Sequence, residues 1–272
     1  MALDQLNDKT EMGFLDHLEE LRWHLVRSVI AIFVFALLAY LSTDFVWGTV
    51  ILGPTQPDFW TYRKLCELGE VIGSPQLCID TIPISFQNRE MAGQFMMDIM
   101  SSAVIGLILG FPYVFWELWR FIKPGLKSTE KNASRGAVLV VSFLFILGVS
   151  FGYFIITPLS INFLANYSLS DLIKNDIDIK SIVGMLTMLT LACGFMFQLP
   201  VVSYFLSKAG LVTPALMKRY RKHALVVILI LSAILTPPDV MSQVLIALPI
   251  IVLYEISIIV SRRVEKKSQK NQ

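Results

Sequence analysis

Apolar residues arrive in six blocks that carry almost no charge, at about 25–43, 95–118, 136–158, 182–207, 223–236 and 240–260. A helix needs about 20 such residues to cross a hydrocarbon core about 30 Å thick. In lipid a spanning segment must satisfy its own backbone hydrogen bonds, which a helix does. The pattern therefore predicts an all-α membrane protein with six spans. The fifth block is short, since His223 to Leu235 would rise only about 20 Å as a helix. It turns at once through Thr236-Pro237-Pro238-Asp239 into the sixth. A proline pair cannot continue a helix, and Asp239 is placed to cap the next one. Such a short hairpin must thin the bilayer or lean on its neighbours.

Just before the first block lies FLDHLEELRWHLVR, Phe14 to Arg27. Phe14, Leu15, Leu18, Leu21 and Leu25 recur at helical spacing, so the stretch is expected to lie along a membrane surface with that stripe toward lipid. Its other side carries Asp16, Glu19 and Glu20. Cytoplasmic lipid surfaces are negative and attract Lys and Arg. An acidic cluster there either solvates a helix or awaits a cationic partner.

Charge in the connecting segments orients the chain. Segment 120–135 holds Arg120, Lys123, Lys127, Lys131 and Arg135, and segment 208–222 holds Lys208, Lys218, Arg219, Arg221 and Lys222. The tail adds Arg262, Arg263, Lys266, Lys267 and Lys270, while the alternate loops are poorer in bases. Basic loops stay cytoplasmic, which predicts both termini inside. The polar start, and a first apolar run without a small-residue cleavage site, predict that this run stays as a span. The whole chain, 1–272, reads as one integral membrane domain with an external cap at 44–94. Its mean hydropathy of +0.63 agrees.

The external loop contains Cys66 and Cys78. In an oxidising compartment a disulfide between them would persist, and two free thiols in a cap fit the sequence as well. Cys193, within the fourth block, reads as a small buried apolar residue. The pairs Gly106/Gly110 and Gly148/Gly152 have the spacing that allows helices to approach closely in lipid, and are read as packing within the bundle.

Little in the chain points to catalysis. His17, His24 and His223 pair with no cysteine or carboxylate at a metal-ligand spacing, and GxSxG, HExxH, P-loop and dinucleotide motifs are absent. No metal, cofactor, nucleic acid or enzymatic reaction is expected. Polar groups within spans are the usual functional candidates. Here they are Glu117, Gln198 and Glu255, with Asp98 near an outer end. Glu117 reads as a satisfied interfacial carboxylate, and Glu255 as one neutralised near Arg262. Gln198 lies deeper and cannot ionise. It either binds a polar group entering the bilayer or ties two helices together. A small-solute secondary transporter is the rival reading, but such folds show internal repeats and ionisable mid-membrane groups that this chain lacks.

Several stretches together resemble the TatC family, the multispanning signal-peptide receptor subunit of the twin-arginine protein translocase. They are HLEELRWHL (His17 to Leu25), WRFIKPGLKSTE (Trp119 to Glu130), FGYFIITPL (Phe151 to Leu159), FQLPVV (Phe197 to Val202) and LTPPDVMSQVLIALP (Leu235 to Pro249). The likeness runs from about residue 14 to 262 and is weakest in the first external loop.

The resemblance implies a concave, glove-shaped bundle in the bacterial inner membrane. It implies a receptor for signal peptides bearing two consecutive arginines, which joins single-span TatA-type and TatB-type partners, self-associates, and moves folded proteins using the proton-motive force. The family's receptor carboxylates fall on Glu20 and Glu130. Arg22 and Phe121 match other positions of that surface, Asp239 matches the aspartate of the TPPD turn, and Gln198 stands where many members have glutamate. A guanidinium matches a carboxylate through two parallel hydrogen bonds, and a lysine does not. From spacing alone, Glu20 reads as a surface charge bonded to His24, and Glu130 as a partner of Lys127 or Lys131. The resemblance reverses that reading.

Overall fold

The structure is a computed structural model, and it describes residues 14–74, 77–79, 81–123, 134–168, 170, 176–235 and 240–270. Helix α1 runs unbroken from Phe14 to Leu41. The stretch expected to lie flat as a surface helix is thus the first half of a span-length rod. No Gly or Pro interrupts it, so nothing forces a bend at the membrane boundary. A short helix α2 (Thr43–Phe45) and a widened turn at Val46–Ile51 lead into helix α3 (Trp60–Ile72). Helix α4 (Gly93–Ile122) is 30 residues long. It rises about 45 Å, the full thickness of a bilayer with its headgroups.

Helix α5 (Ser134–Phe151) continues through a widened turn at Gly152–Ile156 into helix α6 (Thr157–Asn166). Pro158 follows the widened turn, and the Phe154 carbonyl four residues before it accepts from the Thr61 hydroxyl instead of from a backbone N–H. The helix therefore runs on to Asn166. Helix α7 (Ile179–Met196) is capped by the Asp178 carboxylate, and helix α8 (Leu199–Lys208) follows after a break at Phe197-Gln198. The short α9 (Pro214–Arg219) leads to α10 (Arg221–Leu235) and α11 (Val240–Lys270). Beyond residue 260 the tail is rich in Arg, Glu, Lys and Gln, all good helix formers, and carries α11 out past the apolar block.

Among the described residues, five helical stretches are long and apolar enough to span a membrane: Glu19–Leu41, Gly93–Ile122, Gly136–Asn166, Ile179–Lys208 and Gln243–Lys266. The sixth apolar helix, α10, has 15 residues and rises about 22 Å, short of the core thickness as its sequence predicts. Among the described residues the architecture is all-α apart from one pair of three-residue parallel strands, β1 (Ser85–Gln87) and β2 (Asp176–Asp178), which joins the segment before α4 to the segment before α7.

Small residues let the spans close on one another. A Cβ on Gly106 would stand 2.6 Å from the backbone nitrogen of Ala36, so α4 meets α1 at near-backbone contact. Gly148 does the same for α5 against α7, where a Cβ would lie 2.6 Å from the Cys193 carbonyl. Both glycine pairs thus pack inside the bundle. One buried cluster joins Ile156, Leu189, Cys193, Ile228, Ile246 and Ile250; another joins Ala39, Val46, Ile51, Met97, Val183 and Leu186. Outward positions such as Phe33, Leu139 and Ile234 are apolar and exposed. That is the surface a bilayer covers.

At one end of the bundle, Cys66 and Cys78 are joined by a disulfide that closes α3 onto the following loop. Tyr62 anchors this cap. Its hydroxyl donates to the carbonyls of Pro54 (3.0 Å) and Pro158 (2.7 Å), and burial pushes its phenol pKa above the ordinary value. The Thr61 hydroxyl also donates to the Phe154 carbonyl.

Candidate functional site

Glu20 lies at the opposite end from the disulfide, on the first turns of α1. It is part-buried and lines a cleft of about 390 Å³ with Trp23, His24, Arg27 and Arg120. Its neighbour Glu19 is exposed and ion-paired with Arg22 at 2.8 Å. Among the described residues the Glu20 carboxylate has no ion pair, and it is the one acidic group lining the cleft. His24 does not turn back to it. The imidazole Nδ1 instead bonds Glu117 Oε2 on α4.

Glu117 forms the floor of this end. It is 1% exposed, and its other oxygen, Oε1, accepts from the Tyr113 hydroxyl at 3.0 Å and faces Arg120 Nη1 at 3.7 Å. Arg120 also lies over the Trp116 ring, 4.9 Å from its centroid, a cation–π contact. The expectation of a satisfied interfacial carboxylate therefore holds. The network does more than neutralise a charge, because it pins α1 to α4 directly below Glu20. A buried carboxylate is tolerated only when paired and hydrogen-bonded, and three partners meet that condition here.

The other predicted residues divide between this end and elsewhere. Phe121 stands edge-on to His24 with ring centroids 6.2 Å apart, next to a residue of the cleft's lining. Arg22 is exposed, paired with Glu19, and 5.8 Å from the Trp23 ring centroid. Gln198 lies outside the cleft, at the α7–α8 break. Its Nε2 donates to the Val141 carbonyl of α5 at 3.3 Å, which makes it a tie between helices, while its buried Oε1 has no partner among the described residues. Glu255 pairs with Arg221 rather than Arg262, because the α9–α10 junction folds back against α11. Glu130, with its neighbours Lys127 and Lys131, and Asp239 lie outside the described residues.

Sequence reasoning noted His24 and Glu117 separately and missed that they pair. The signal was present: each is a polar residue flanked by tryptophan at the edge of an apolar block, in RWHL and FWELW. Arg27, Arg120 and Tyr113 went unremarked as site residues. Among the described residues, no group of His, Cys, Asp and Glu is arranged to hold a metal ion.

A family model described as Sec-independent protein translocase protein (TatC) matches residues 16–249. The chain is 37% identical over 263 residues to a Sec-independent protein translocase protein TatC of Blattabacterium sp. subsp. Periplaneta americana (strain BPLAN), covering 96% of this chain and 99% of the relative. It is 29% identical over 267 residues to the Sec-independent protein translocase protein TatCy of Bacillus subtilis (strain 168), covering 96% and 93%. A crystal structure of the twin-arginine translocase receptor TatC superposes with a TM-score of 0.71 at 30% identity, over 92% of this chain and 99% of that one.

Proposed function

The chain belongs to the TatC family of Sec-independent protein translocase components, and from that premise we propose that its Glu20 end receives the paired arginines of a signal peptide. The observation that carries this reading is the state of Glu20: a part-buried carboxylate on a cleft, without a cation of its own among the described residues. A guanidinium would dock on it through parallel charge-assisted hydrogen bonds. Trp23 supplies aromatic surface in the same cleft, and Phe121 packs against His24 behind it. Partial desolvation makes such a bond contribute about 1–3 kcal/mol, against about 0–1 for a fully exposed pair.

A second arginine needs a second acceptor, and Glu117 is already saturated. Glu130 is the proposed second carboxylate. Arg27 and Arg120 line the same cleft and repel a misplaced cation. That repulsion restricts the guanidiniums to the positions where carboxylates wait. Arg22 supports the surface by holding Glu19 out of the competition. Gln198 offers its unpaired oxygen to a polar group of the peptide's apolar segment.

The Glu20 end is then cytoplasmic, with both termini inside and the disulfide cap in an oxidising compartment, as the basic loops require. The membrane is the bacterial inner membrane. Transport draws on TatA-type and TatB-type single-span partners, self-association and the proton-motive force.

The test is binding of a fluorescent signal peptide to membranes containing the protein, with Arg-Arg and then Lys-Lys at the motif. Arg-Arg should bind at least about tenfold more tightly, the equivalent of 1.4 kcal/mol. The double variant Glu20→Ala/Glu130→Ala should abolish that difference while remaining folded. Equal binding of both peptides by both proteins would overturn the assignment.

A further inference from the structure

At the disulfide end, a second pocket of about 460 Å³ opens between α4, the α2 region, β1 and the start of α7. Asp98 projects into it. Its Oδ1 accepts from the Trp47 indole Nε1 at 2.9 Å, and its Oδ2 accepts weakly from the Thr43 hydroxyl at 3.4 Å. Both donors are neutral. Among the described residues no Lys or Arg pairs with Asp98, and the base at the start of α7, Lys180, is held by Glu90 at 2.8 Å. The pocket is also lined by three aromatic side chains, Trp47, Phe86 and Phe95, and by the amides of Asn88 and Gln94. A carboxylate held by neutral donors beside aromatic rings suits a cation, and a small one given the volume.

Depth indicates which cation. Asp98 lies five residues in from Gly93, the outer end of α4, or about 7.5 Å along the axis. That is the boundary between headgroups and hydrocarbon, since headgroups add about 5–7 Å on each side. Deeper in the bundle than Asp98, the outward positions of α4 and α1 are apolar, Ile99, Met100 and Leu38 among them. An amine bound at Asp98 would thus continue into an apolar tail.

We propose that this pocket binds the headgroup of an aminophospholipid of the phosphatidylethanolamine class, its ammonium on Asp98 between Trp47, Phe86 and Phe95, and its phosphate on the amide donors of Asn88 and Gln94. A primary ammonium donates hydrogen bonds to the carboxylate. A quaternary choline has none to donate, and a glycerol headgroup has no positive charge. The site is independent of the signal-peptide cleft, which lies at the other end of α4.

The experiment is native mass spectrometry of the detergent-purified full chain, equilibrated with equal amounts of phosphatidylethanolamine, phosphatidylcholine and phosphatidylglycerol of identical acyl chains. The wild type should retain phosphatidylethanolamine over the other two by about fivefold to tenfold. Asp98→Asn keeps the acceptor oxygen for Trp47 and Thr43 but loses the charge, and should bring the preference within about twofold. Phe95→Leu should lower it partway. Soluble phosphoethanolamine, added in excess, should displace the lipid if the headgroup carries recognition. Equal retention of the three lipids by the wild type would overturn the proposal, as would an undiminished preference in a folded Asp98→Asn variant. Failure of phosphoethanolamine to compete would remove the headgroup as the recognised element.

Discussion

Glu117 and Asp98 lie at mirrored depths in α4, each five residues from its end of the helix, yet their surroundings differ. Glu117 is enclosed by His24, Tyr113 and Arg120 and is nearly inaccessible. Asp98 is half-buried, and among the described residues its carboxylate accepts only from an indole and a hydroxyl. A carboxylate whose charge is matched inside the protein serves architecture, because removing any partner leaves a buried charge uncompensated. One held only by neutral donors keeps its charge available to something outside. By the same criterion Glu20 resembles Asp98, although it sits beside Glu117.

The comparison breaks most readily at Glu117. Glu117→Ala should destabilise the bundle by about 2–4 kcal/mol, because the buried His24 imidazole loses its hydrogen-bond partner and a cavity is left between α1 and α4. A lowered melting temperature in detergent would register it, and Glu117→Gln should cost less because it can still bond Tyr113 and His24. At the other end, the cap is braced covalently. Replacing Cys66 and Cys78 by Ser opens a 12-residue separation and should lower stability by about 2–3 kcal/mol. Thermal unfolding with and without reductant measures it, and reduction should leave the double variant unchanged.

Midway between the two carboxylates, Gly106 holds α4 against α1. Gly106→Ala forces the helices apart and should cost about 1–3 kcal/mol. Because it moves both ends of α4, it should weaken Arg-Arg peptide binding and lipid retention together, whereas Glu20 and Asp98 variants should each affect one alone. The smallest effect belongs to Asp98→Asn, which should change stability by less than about 1 kcal/mol, since both hydrogen bonds keep an acceptor. If this variant destabilises as much as Glu117→Ala, the distinction between a committed and an available carboxylate fails.

Much of this was legible in the residues themselves. The span-length apolar blocks, the short fifth helix and the packing glycines follow from local rules about lipid, helix rise and side-chain size. The rod from Phe14 to Leu41 was misjudged because amphipathic spacing reports a face and says nothing of what lies against it. In Glu20 the carboxylate could be recognised, but its freedom could not. Spacing offered His24 as its partner one turn away, and tertiary packing gave His24 to Glu117 instead. The Cys66–Cys78 bond was equally open, since sequence separation does not decide whether two thiols meet.

The sequence by itself determined the class of protein and the positions of its helices, because hydropathy and helix geometry act over a few turns of one chain. Which carboxylates are matched and which remain available was decided only when α1, α4 and the cap loop came together. Charge pairing acts across a few ångströms of space between residues as far apart as His24 and Glu117, 93 positions along the chain, and only the folded arrangement sets those distances.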